Sequence, residues 1–259
     1  MKFSIMTLFP EYMDFLLGQS IIGRARKAGI LEIRCHNFRD YAHDRHSTVD
    51  DTPYGGGMGM LLKPEPIYEC YQAIVEQSEI KPLCVYMSPK GRVLDQALAC
   101  ELAQQEHVLF LCGHYEGVDQ RVLDRIVDME LSIGDYVLTG GELPAAVAVN
   151  CIARLVPGVL AEEECFTEES HYGGLLEYPH YTRPQIFMGE SVPKVLLGGD
   201  HNEIERWRRR RALEITRRNR PDMLLKASLT PFDLDLLEAW MDDSPAARED
   251  AEEDAEKVQ

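Results

Sequence analysis

The chain has 259 residues, a length that suits one or two domains with a full hydrophobic core. Its 45% hydrophobic and 27% charged content is that of a globular enzyme, and no apolar run approaches the roughly 18 residues of a membrane-spanning helix. A net charge of −17 argues at first sight against a nucleic-acid partner, because phosphate binding takes clustered cations.

The N-terminus, MKFSIMTLFPEYMDF, carries one lysine, a short apolar run, then Pro10 and Glu11. It reads as a strand over 3–9 closed by proline and followed by a helix, not as a secretory leader, which predicts a cytoplasmic protein. Further β-rich runs predict strands at 31–38, 83–87 and 108–112. Amphipathic patterns predict helices at 64–77, 95–106, 119–127 and 143–155. Strands that are continuously apolar and interleaved with helices predict an α/β fold with a parallel sheet covered on both faces. The seven cysteines are odd in number, and none has the Cys-x-x-Cys spacing of a metal or redox site. Most sit among apolar neighbours, as in LCVYM, and read as buried, reduced thiols.

The character changes near residue 157. Residues 1–160 form the first expected domain, and the acidic, polar segment 161–176 reads as a linker or lid. Residues 177–242 read as a small, mostly helical domain. A helix starts near Asn202-x-x-Glu205 as a capping box, and a second spans 231–240 with Thr230 as its N-cap. The tail 243–259 is acidic, alanine-rich and predicted disordered.

The net charge hides a segregation. Residues 242–257 carry eight acidic and two basic side chains, a net of −6, whereas 206–220 carry eight arginines and one glutamate, a net of +7. Residues three and four apart share a helix face, so Arg206, Arg209 and Arg210 are expected on one side, near Arg217. This face reads as an RNA contact in preference to a solvated surface, with Trp207 either stacked on a base or in the core.

Two glycine-punctuated stretches follow predicted strands: CGHYEGVDQRV from Cys112 and LSIGDYVLTGGELPA from Leu131. Glycines there let main chain approach a ligand, so these loops suit a nucleotide-like cofactor, or else simply close tight turns. A dinucleotide fingerprint is excluded, because Gly55 and Gly57 are followed by Met60 where a third glycine belongs. No Gly-Lys-Ser/Thr occurs, so there is no P-loop. The stretch HDRHSTVDDTPYGGGMGM, from His43 to Met60, offers histidines and acids to a metal but reads better as a flexible substrate loop.

With YMSPKGRVLDQ, PGVL and GLLEYPHYTRP, these blocks resemble, in the same order, those of the bacterial tRNA (guanine-N1)-methyltransferase family over almost the whole chain. The resemblance implies a SPOUT-type α/β domain with a trefoil knot towards its C-terminal side, a homodimer, and S-adenosylmethionine bent within the knot loops. The cofactor residues it implies are Tyr86, Met87, Ser88, Pro89 and Gly91 in the first loop, and Gly113, Tyr115, Glu116 and Gly117 in the second. Ser132, Ile133, Gly134, Asp135, Tyr136, Val137 and Leu138 form the third, and Gly140, Gly141 and Pro144 continue the wall. The implied reaction methylates N1 of the guanosine at position 37, just 3′ of the anticodon, with Arg154 beside O6 and Glu169 as the base. Glu169 stands where the family pattern has aspartate, and Glu168 is the neighbouring alternative. His46, Asp50 and Gly59 are implied on the side of the target nucleotide, and Arg209 and Arg210 on the tRNA. Magnesium at Glu116 is compatible with the family, although the sequence holds no multi-carboxylate cluster for it.

Overall fold

The computed structural model describes residues 1–161 and 169–241. The chain divides into two compact units, Met1–Glu163 and Glu164–Gln259.

The first unit is built on a five-stranded, wholly parallel sheet of order β2-β1-β6-β5-β7. Its strands are β1 (Lys2–Thr7), β2 (Glu32–Asn37), β5 (Leu83–Val93), β6 (His107–Cys112) and β7 (Met129–Ser132); β3 (Asp50–Asp51) and β4 (Leu61–Leu62) pair apart from it. Strand β6 is central and buried at all six positions, which is why HVLFLC shows no polar alternation. Alternate side chains feed two cores. Phe3, Ile5, Val85, Met87, Val108 and Phe110 enter one, with helices α1 (Pro10–Leu17), α2 (Ser20–Lys27), α4 (Gln96–Ala103) and α6 (Glu142–Ala153). Met6, Cys84, Tyr86, Leu109 and Leu111 enter the other, under α3 (Pro64–Glu76) and α5 (Gln120–Ile126). Six cysteines are free thiols, and burial pushes Cys70 and Cys84 up to about 12; Cys165 lies outside the described residues.

The expected strands and helices appear within a few residues of their predicted limits, except at the end of β5, while helix α2, the β3–β4 pair and β7 were not predicted. Strand β5 runs six residues beyond the predicted end, to Val93. Strand β7, only four residues with two of them polar, gave no periodic signal.

In the second unit the long helix His201–Asn219 packs Leu213 and Ala212 against Leu175. Its cap is not the expected Asn202 box. Asp200 accepts from the backbone N–H of Asn202 and Glu203, so the helix begins at His201. The second expected cap is present: in the helix Pro231–Met241, Asp233 N–H donates to Thr230 Oγ1, and Asp233 Oδ2 accepts from Thr230 N–H. A short hairpin, Ile186–Phe187 with Glu190–Ser191, the 3-10 turn Lys194–Leu197 and the turn of helix Pro221–Leu224 also belong to this unit. The expected tail 243–259 lies outside the described residues.

At the amino ends of the central strands, His107 is 6% exposed and shares a 2.9 Å hydrogen bond with Ser4 Oγ. Burial, reinforced by Lys2, lowers its pKa from 6.5 to about 4. Between those values the unfolded chain holds the extra proton, so stability falls as pH drops from 6.5 towards 4. Denaturant melts across this window should show wild type losing stability more steeply than His107→Gln, by at most about 1.4 kcal/mol per pH unit. Parallel slopes would refute the assignment.

Candidate functional site

The site of the first unit is made by chain excursions at the carboxyl ends of β5, β6 and β7. Along β7, Met87 and Arg92 both sit opposite Leu131, so residues 88–91 leave the ladder as a loop and return to it. Ser88 Oγ closes that loop by accepting from Lys90 N–H at 3.2 Å. At Gly91 the loop crosses β7 so closely that a Cβ would overlap the Glu130 carbonyl.

After β6, residues 113–117 turn tightly, with Gly117 N–H donating to His114 O at 3.1 Å. After β7, Ser132 Oγ bonds both Gly134 N–H and Gly134 O, shaping the third loop. The second and third loops then meet: Gly141 N–H donates to Gly113 O at 2.8 Å, and His114 bridges Gly140. A Cβ on Gly141 would stand 2.7 Å from Cys112 Cα, against main chain that has nowhere to go.

One cleft gathers Met87, Ser88 and Pro89 with Ser132, Ile133, Gly134, Tyr136, Val137 and Leu138, and is closed by Gly140, Gly141 and Pro144. These are twelve of the nineteen residues expected around a cofactor; Leu131 also lines the cleft and was not anticipated. The other seven stand outside its lining. Tyr86 is a buried support whose ring packs under Gly113, and burial raises its phenol pKa, helped by Glu130. Gly91 and Gly113 serve the close crossings, and Gly117 ends the second turn with φ +126°. Tyr115 and Asp135 are exposed. Glu116 turns instead towards Gly59, where a Cβ would strike its side chain, and its N–H donates to Met60 O at 3.0 Å.

The histidine-rich loop is organised by its own acid. Asp44 accepts from His46 N–H, Thr48 N–H and Thr48 Oγ1, and the backbone bond from His46 leads in holding its carboxyl below the usual range. His43 pairs with Glu69 at 2.8 Å, and Asp50 pairs with Leu62 in the β3–β4 ladder. Among the described residues no three His, Cys, Asp or Glu side chains converge as a metal site. Arg154 caps the C-terminus of α6.

A residue that sequence reasoning passed over is Glu142, 5% exposed in the first turn of α6, which accepts from Thr7 Oγ1 at 2.8 Å. It ties the end of β1 to the Gly140–Gly141 wall. An acid directly after a glycine pair, at a helix start, is the signal that was available.

In the second unit Glu169 lines a cleft with Glu177, Tyr178 and Arg208; Glu168 lies outside the described residues. The expected arginine face is extensively engaged within the protein. Arg209 makes a fork to buried Asp233 at 2.6 and 2.9 Å. Burial raises that carboxyl, but the bonds from Arg209 and Thr230 outweigh it and hold it low. Arg217 lies over Trp240, Arg211 over Trp207, and Arg220 on Asp222. Trp207 is a core residue, 9% exposed, beside Tyr181. A phosphate at Arg209 would have to compete with a carboxylate already in bidentate contact. Arg210 lies half-buried on the same helix.

The close crossings make a testable demand. Gly141→Ala is expected to cost about 1–3 kcal/mol through overpacking, whereas Gly173→Ala, with nothing within 4 Å of its Cβ, should change stability by under about 0.5 kcal/mol. Equal thermal melts would show that the crossing relaxes freely.

The family model described as tRNA (Guanine-1)-methyltransferase TrmD matches residues 1–226. A protein of Ruminiclostridium cellulolyticum named tRNA (guanine-N(1)-)-methyltransferase is 54% identical over 87% of this chain and 97% of its own. Proteins of the same name from Alkaliphilus oremlandii and Clostridioides difficile are 52% and 49% identical, over 92% and 88% of this chain and 98% and 99% of theirs. A match of this extent, on a chain whose glycine loops form one cleft, has one reading: the chain belongs to the tRNA (guanine-1)-methyltransferase family.

Proposed function

We propose that this protein transfers a methyl group from S-adenosylmethionine to N1 of guanosine 37, just 3′ of the anticodon, in tRNA. The observation that carries the reading is the cleft at the ends of β5, β6 and β7, in a chain about 50% identical to enzymes named for guanine-N1 methylation.

The cleft suits an adenosyl group. Its walls are main-chain loops shaped by Gly134, Gly140 and Gly141, and its side chains include Leu131, Ile133, Leu138 and Pro144. Such a lining takes a flat heterocycle through van der Waals contact and main-chain hydrogen bonds. S-adenosylmethionine held there supplies an electrophilic methyl group.

The protein's own part is set by the nucleophile. Guanine N1 carries a proton, and its electron pair becomes available only as that proton leaves. Glu169 is the base that takes it. As the proton leaves, negative charge builds on O6, and the Arg154 guanidinium balances it. A carboxylate one methylene longer than aspartate keeps the same reference acidity, so the role survives the substitution.

The reading extends to the architecture. The loop crossing at Gly91 and the Gly113–Gly141 contact support a trefoil knot around the cofactor. The exposed apolar side chains Phe9, Tyr12 and Phe15 of the α1 region, with Leu143 and Val147 of α6, support a homodimer. His46, Asp50 and Gly59 approach the target nucleotide in this reading, and the second unit holds the tRNA. Among the described residues no helix is long and apolar enough to cross a membrane, which is compatible with a cytoplasmic enzyme.

Nucleoside mass spectrometry of treated tRNA transcripts tests the proposal. Guanosine at position 37 should yield 1-methylguanosine, and adenosine there should yield no product. A 2′-O-methyl nucleoside in its place would overturn the reading. Glu169→Ala should abolish turnover, by roughly 100-fold or more, while calorimetric affinity for S-adenosylmethionine stays unchanged. Normal turnover would remove Glu169 from the role of base.

A further inference from the structure

The second unit carries its charge in two opposed blocks, and the proposed reaction uses only the first. Residues 206–220 hold a net of +7, and residues 242–257 hold a net of −6. The family match ends at residue 226, before the acidic block begins. That block belongs to the eighteen residues, 242–259, that follow Met241 and lie outside the described residues.

Packing sets where the acidic segment starts. The helix Pro231–Met241 is held to the long helix near both of its ends. Towards its start Asp233 receives the Arg209 fork, and towards its finish the Arg217 guanidinium lies over the Trp240 ring, Cζ 5.0 Å from the centroid. Leu236 and Trp240 pack against the cluster that contains Leu213. The acidic segment is therefore tethered two residues past Trp240, beside the last turn of the long helix.

That turn holds the least committed arginines of the helix. Arg217, Arg218 and Arg220 are all exposed. Arg220 is paired with Asp222. Arg217 instead faces an uncharged ring, and Arg218 Nε donates to the neutral Asn219 side chain at 3.3 Å. Among the described residues neither Arg217 nor Arg218 meets a carboxylate. Neighbouring guanidinium forks on a surface attract an anion, and their geometry suits carboxylate as well as phosphate.

The tethered segment is long enough to be that anion. Eighteen residues span at most about 60 Å, whereas the 19-residue helix is about 28 Å long. A single exposed ion pair contributes little and is screened by salt. Six acids between residues 249 and 256 act together, because a shared tether gives each an effective concentration on the order of millimolar.

We propose that residues 242–259 dock on the arginine end of the long helix, at Arg217 and Arg218, as a tethered polyanion that RNA must displace. The proposal rests on the reading that the second unit holds the tRNA. It adds a device against other RNA: a strand with few further contacts fails to displace the segment, whereas tRNA, held through its reacting guanosine as well, succeeds.

The experiment compares the full-length protein with a full-length variant in which the six acids become amides: Glu249→Gln, Asp250→Asn, Glu252→Gln, Glu253→Gln, Asp254→Asn and Glu256→Gln. Fluorescence anisotropy of a labelled oligouridine gives the affinity from about 50 mM to about 1 M salt. The amide variant should bind roughly 10-fold more tightly at the lowest salt, with a steeper salt dependence, by about 0.7 in log–log slope per arginine released. The two curves should merge at the highest salt, and the melting temperatures should match. Equal affinities at low salt would overturn the proposal.

Direct docking is separated from long-range repulsion by zero-length carbodiimide crosslinking, which joins carboxylates to amines in contact. In an Arg217→Lys/Arg218→Lys variant, peptide mass mapping should find position 217 or 218 joined to acids of 249–256 at low salt, and the link should vanish at about 1 M salt. The Lys81–Asp128 pair, 3.5 Å apart, serves as the internal standard. Its crosslink without the other would overturn docking. Oligouridine bound by neither protein would overturn both this proposal and the RNA role of the second unit, while the nucleoside assay for methyl transfer stands apart from either result.

Discussion

The first unit depends on main chain meeting main chain with no room for a side chain between. Gly141 N–H reaches Gly113 O at 2.8 Å, and the space a Cβ would need at Gly141 is filled by Cys112 Cα. The same exclusion operates at Gly91, where the first loop crosses β7. Because the two crossings join loops from three strands, they convert three separate turns into one wall. The buried Thr7–Glu142 bond adds a fourth strand to it, fixing the first turn of α6 behind Gly140 and Gly141. A site made this way has little freedom to relax, which suits alignment of a methyl donor better than adaptation to varied ligands.

The second unit works by a different economy of contacts. Its long helix carries a dense block of arginine, yet the block is largely an internal scaffold. Arg209 on Asp233 and Arg217 over Trp240 hold the helix Pro231–Met241. Arg211 and Arg220 pair with acids nearby in the sequence. Asp233 serves two neighbours at once, closing the cap with Thr230 and receiving the Arg209 fork. The cost of burying such a carboxylate is offset only because every one of those bonds is made. Arg208 stands apart because its stacked fork retains a buried N–H without a partner among the described residues.

Much of this was legible in the sequence. The alternation of apolar runs and amphipathic stretches located four strands of the sheet, because burial on both faces leaves no room for polar positions in LCVYM or HVLFLC. The glycine blocks after β6 and β7 foretold loops there, but the steric demand at Gly91 and Gly141 is visible only in the fold. Glu142 and the four-residue β7 were missed, the first although an acid after a glycine pair marks a helix start, the second because it is too short to have a period.

What the sequence determined by itself was composition, element order and family, all of which are local or cumulative properties of the chain. Only the tertiary structure decided which charges are spent and which remain. Eight arginines in fifteen residues look alike as a string, but whether a guanidinium meets Asp233 or Trp240 depends on residues more than 20 positions away along the chain. Pairing energies are set by distance and burial, and neither is written in the order of the residues.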